Sequence, residues 1–109
     1  MKIAAVQMDI TLGEVERNLQ AIEDRFREAV GNGAELVVFP ECAVTGYCFR
    51  NLEEAQPFAQ SIPGSTTKRL AGLCADLDAF AVFGMLEQDG DRVFNVAVMT
   101  GPSGVIGSY

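Results

Sequence analysis

The sequence predicts an α/β fold built on a mixed sheet. Three observations carry this. A short apolar run, an amphipathic helical stretch and a second apolar run fill about the first forty residues, the order of a βαβ unit. A second helical stripe leads into a third apolar run that starts near Phe80. An Asp89-Gly90 step then joins that run to a fourth, a strong hairpin signal. The first strands should therefore pair in parallel and the later ones antiparallel.

Taken in order, Ile3 to Met8 shows little polar alternation and reads as a strand buried on both faces. Thr11-Leu12-Gly13 is a turn. Val15, Leu19, Ile22, Phe26 and Val30 recur at steps of three and four, one apolar face of a helix. Gly31-Asn32-Gly33 ends that helix with residues that tolerate left-handed backbone. Leu36 to Phe39 is the second buried strand, and Pro40 stops it because proline cannot donate to a ladder. Residues 43–64 are irregular, with a short helix expected within Asn51 to Ala59. Ser65 reads as an N-cap, ahead of the stripe Leu70, Leu73, Cys74 and Leu77. Strands follow over Phe80 to Leu86 and Val93 to Thr100, then a turn at Gly101-Pro102-Ser103-Gly104 and a fifth strand from Val105. Helices lying on one face would leave the other side of this apolar sheet without cover.

Composition narrows the function. Eight basic and fifteen acidic residues give a net charge of −7. That sign argues against nucleic acid and against an anionic membrane surface, both of which draw on Lys and Arg. There is no histidine, so the commonest metal ligand and general base is missing. The cysteines Cys42, Cys48 and Cys74 are odd in number and include no CxxC pair. Neither a disulfide framework nor a metal or other cofactor is expected. The amino terminus enters a strand directly without signal-peptide architecture, and no apolar run has membrane-spanning length. A reducing, cytoplasmic setting is the default reading.

Glu41 occupies the most suggestive position. In open α/β sheets functional groups gather just past the carboxyl ends of the strands. Glu41 emerges there from the apolar segment Leu36 to Phe39, an environment suited to tuning a carboxylate for proton transfer. A glutamate after a proline can also simply cap a turn.

The residues around it are more specific. Phe39-Pro40-Glu41-Cys42-Ala43-Val44-Thr45-Gly46-Tyr47 resembles the glutamate motif of the nitrilase, or carbon–nitrogen hydrolase, superfamily. Ala5-Val6-Gln7, Asn18-Leu19, Gly33 to Val38, Pro63-Gly64, Phe94-Asn95, and Gly101 to Gly104 with Tyr109 also resemble the family's pattern, so the likeness spans the whole chain. It implies an α-β-β-α sandwich, of which residues 1–109 would be the N-terminal and incomplete portion. It also implies a Glu–Lys–Cys triad acting on a small amide, nitrile or carbamoyl compound. The cysteine forms a thioester, the lysine stabilises the oxyanion, and Glu41 corresponds to the general base. Tyr47 either lines the acyl pocket, as the family's tyrosine can, or packs on the sheet.

The resemblance supplies only the glutamate of that triad. The family's lysine follows the stretch that Gly104 to Tyr109 matches, and its nucleophilic cysteine lies further on. Lys2 and Lys68, the only lysines, fall at the wrong end of the first strand and on a helix surface. Cys42 should point away from Glu41, since neighbours in extended backbone face opposite sides. Cys74 reads as core, and nothing around Cys48 suggests activation. Met8, Met85 and Met99 read as core filler, and Gly46 as a turn residue. The isolated chain is expected to be inactive, and its uncovered sheet face favours self-association.

Overall fold

In the computed structural model, which describes residues Met1–Tyr109, strands and helices follow the expected order. They are β1 (Ile3–Ala5), α1 (Val15–Gly31), β2 (Leu36–Val38), the single turn α2 (Leu52–Ala55) running into a 3-10 turn at Gln56–Phe58, α3 (Ser65–Leu77), β3 (Phe80–Asp89), β4 (Arg92–Gly101) and β5 (Gly104–Ser108). No helix is long and apolar enough to cross a membrane.

The five strands lie in chain order, β1-β2-β3-β4-β5. The first two pairings are parallel and the last two antiparallel. Right-handed crossovers that step along a sheet in one direction place their helices on the same face. That is the arrangement found: α1 and α3 share one core cluster with the sheet, including Ile22, Phe26, Leu70, Val37, Phe83 and Val98. Arg69 of α3 locks the pair by reaching both Glu16, at 2.8 Å, and Glu23 of α1. Its guanidinium holds the Glu16 carboxyl below the usual range, first by hydrogen bonding and then by charge.

Side chains alternate across a strand. On β3, Ala81, Phe83 and Met85 face the helices, while Val82, Gly84 and Leu86 face the other way. No element of the chain covers that outer face at its β1 edge, where Ile3 is 59 % exposed. The expectation that Ile3 to Met8 is a strand buried on both sides is therefore corrected. Ladder pairing covers only Ile3–Ala5, and alternate residues along the run are exposed. The cause is topological: β1 is an edge, and both helices cover the same side.

Local signals hold with small shifts. The α3 N-cap is Gly64 rather than Ser65, and the Thr67 hydroxyl accepts from the Gly64 amide at 2.8 Å. Ser65 becomes the first helical residue and donates to the Gln60 side chain. The β3–β4 hairpin closes through Gly90 at φ 62°, a left-handed value that glycine reaches without steric cost. Asn18, 1 % exposed, ties two loops together. Its Nδ2 donates to the carbonyls of Thr11 and Val44, and its Oδ1 accepts from the Thr11 amide. The segment after β1 is thereby fastened to the turn that carries Glu41.

Candidate active site

The backbone sets this site before any side chain does. β2 ends at Val38, Phe39 donates one more bond to Val82, and Pro40 can donate none. The chain then turns tightly over β3. The Gly84 amide donates to the Pro40 carbonyl, and the Gly84 carbonyl accepts from Val44, both at 3.3 Å. Gly84 permits this approach because it has no side chain. A Cβ there would lie 2.2 Å from the Cys42 nitrogen and 2.9 Å from the Glu41 Cα.

Within the turn Cys42 takes φ 48°. That value overturns the expectation that Cys42 points away from Glu41, which assumed extended backbone. Cys42 Sγ donates to Asn95 Oδ1 at 3.3 Å, and Asn95 Nδ2 donates to Glu41 Oε1 at 2.6 Å. Three residues from two distant segments thus form one chain of hydrogen bonds. Asn95 stands on β4 opposite Leu86, on the outer face of the sheet. Sequence reasoning noted it only as part of a resemblance. The available signal was a lone amide at an outward position in the otherwise apolar run Val93 to Met99.

Glu41 is itself exposed, not enclosed by an apolar wall, because it sits on the uncovered side of the sheet. Two hollows flank it. One, of about 310 Å³, runs along the outer face past Val38, Val82 and Ala97. The other, of about 380 Å³, is bounded by Glu41, Asn95, Tyr47, Phe49, Leu52 and Leu86. Phe49 is braced by stacking on Phe58 with ring centroids 5.4 Å apart. Tyr47 therefore borders the same hollow as Glu41 and is 65 % exposed.

The remaining candidates lie apart. Neither Lys2 nor Lys68 borders either hollow at Glu41. Cys48 is exposed, and Cys74 is buried against Thr100. No three His, Cys, Asp or Glu side chains are grouped to hold a metal ion. Burial, and then the charge of Glu41, push the Cys42 thiol up, while burial alone raises that of Cys74. Both favour the protonated, non-nucleophilic form. The folded chain binds these protons more tightly than the unfolded chain does. Their contribution to stability is complete below the ordinary thiol value of 9.0 and is lost as pH climbs through the raised values. Urea midpoints from pH 7 to 11 should fall more steeply for the native chain than for a Cys42→Ser/Cys74→Ser variant. Identical profiles would refute this.

Comparison with known proteins gives the family and the fold. The carbon–nitrogen hydrolase family model matches residues 2–109. The chain belongs to the carbon–nitrogen hydrolase family. It is 43 % identical over 110 residues to a nitrilase of Pyrococcus abyssi, covering 100 % of this chain and 42 % of that protein. It is 30 % identical over 106 residues to the omega-amidase NIT2 of Danio rerio, covering 96 % and 37 %. The chain thus spans less than half the length of these hydrolase relatives. Among solved structures, an N-terminal amidase bound to a Gln-Gly peptide superposes with a TM-score of 0.83 at 20 % identity, over 96 % of this chain and 26 % of that one. An amidase from Nesterenkonia sp. gives 0.76 at 22 % identity, over 100 % and 41 %. At such identities the likeness establishes the shared hydrolase fold, a mixed sheet with its helices as found here.

Proposed function

We propose that residues 1–109 form the N-terminal portion of a carbon–nitrogen hydrolase domain. The domain cleaves a non-peptide C–N bond in a small amide, nitrile or carbamoyl compound, and Glu41 is its general base. The observation that carries this is the held carboxylate. One oxygen of Glu41 is fixed by Asn95, at the mouth of a hollow that Tyr47 also borders. A base must be aimed before it can accept a proton in the transition state. The nitrilase and omega-amidase relatives support the amide and nitrile class. Tyr47 contributes a wall for the acyl part of the substrate. The three unpaired thiols suit a reducing, cytoplasmic setting.

The reaction also needs a thiolate to attack the carbonyl or nitrile carbon and a cation to stabilise the developing negative charge. The thiol nearest Glu41, Cys42, is held protonated, and no lysine or arginine borders the hollows at Glu41, so on their own residues 1–109 should show no turnover on a panel of amides and nitriles. The test is a chimera in which these residues replace the matching segment of the Pyrococcus abyssi nitrilase. Activity in the chimera supports the reading, and a folded but inactive chimera overturns it. Turnover by residues 1–109 alone that is lost on Glu41→Gln would overturn the inactivity.

A second reading is association, favoured by the open outer face and the exposed β1 and β5 edges. Unpaired strand edges and apolar faces recruit further chains. Sedimentation of residues 1–109 is expected to show self-associated species. A sharp monomer that unfolds cooperatively would count decisively against it.

A further inference from the structure

We propose that Cys42 and Asn95 form a positioning pair for Glu41: the thiol anchors the oxygen of the Asn95 amide, and the amide so held aims the carboxylate. The proposal rests on Glu41 being the base only for its functional meaning, since the pair itself is defined by geometry. An ionised carboxylate can only accept hydrogen bonds. The amide atom 2.6 Å from Glu41 Oε1 must therefore be the Asn95 nitrogen. That orientation turns the amide oxygen towards the other neighbour, Cys42 Sγ, at 3.3 Å. Only a protonated thiol can donate to it. A flipped amide would set its oxygen against the carboxylate and exchange the thiol's hydrogen bond to the amide oxygen for a contact in which sulfur is only a weak acceptor.

The pair is braced from beneath. Cys42 is fully buried and held at φ 48° by a turn that lies directly on Gly84. The raised thiol keeps its proton across the neutral range. The chain thus uses a cysteine beside its proposed base as a fixed donor, not as a nucleophile. One carboxylate oxygen is held, and the second stays outside the network.

The test reads the Asn95 side-chain amide by NMR in the ¹³C,¹⁵N-labelled 109-residue chain. The two Nδ2 protons should be well separated in shift, because one of them alone makes a charge-assisted bond. Glu41→Gln should reduce that separation, and Cys42→Ala should reduce it too, because an amide no longer anchored at its oxygen samples other rotamers. Cys42→Ser, which retains a donor, should preserve it. A pH titration of the native chain supplies a second measurement. As pH is raised until Cys42 ionises, the Asn95 signals should move in step with the Cys42 Cβ signal, and this movement should vanish in Cys42→Ser. Asn95 signals indifferent to Cys42→Ala, or to ionisation of the thiol, would overturn the proposal. A chimera that stays active as Glu41→Gln would instead overturn the base assignment, whatever the Asn95 signals do.

Discussion

Glu41→Gln in the active chimera should lower kcat by about 10²- to 10⁴-fold, the range typical of a lost general base, with KM little changed. Glutamine keeps the length and planarity of glutamate and can still present an oxygen to Asn95 Nδ2, so turn and hollow survive. What disappears is the capacity to take a proton. A group whose role is proton transfer in the transition state registers in kcat, because substrate binding does not draw on it. Full activity in the glutamine variant would remove Glu41 from the mechanism. An increase confined to KM would recast it as a binding group.

Gly84→Ala should be the most damaging single-methyl addition in the chain. The added carbon would meet the backbone of Cys42 and Glu41 at 2.2–2.9 Å, and backbone cannot swing aside as a flexible side chain can. Either β3 and the turn separate, losing the two 3.3 Å bonds between Gly84 and residues 40 and 44, or the strand bends. Overpacking of this kind costs about 3 kcal/mol, at the upper end of the usual range. The urea midpoint should drop accordingly, and the chimera should lose activity as Glu41 is displaced. Gly72→Ala is the matched control. Gly72 lies within α3 with nothing within 4 Å of its added carbon, so alanine there should stabilise by up to about 1 kcal/mol through helix propensity. Equal midpoints for the two variants would contradict the packing described.

Much of this fold was legible because its signals are local. Periodicity placed α1 and α3, Pro40 marked the end of β2, and Asp89-Gly90 located the hairpin. The strand-end rule singled out Glu41, and the surrounding motif pointed to the family. Two features were not legible, for one shared reason: they depend on which elements lie on which side. Ile3 to Met8 is apolar enough for double burial, yet an edge strand under one helical layer receives cover on one side only. Cys42 faces the same network as Glu41 because a left-handed turn breaks the alternation that extended backbone would impose. Asn95, more than fifty positions from Glu41, becomes its neighbour only once β4 is laid beside β3.

The chain-order sheet has a consequence for how such a protein tolerates change. With both helices on one side, the packing that holds the fold and the face that carries the Glu41 turn lie on opposite surfaces of the same five strands. Along β3 they alternate residue by residue: Ala81, Phe83 and Met85 belong to one, Val82, Gly84 and Leu86 to the other. Selection can therefore remodel the outer surface while leaving the inner one untouched. Gly84 is the exception, because it also bears the turn that carries Glu41.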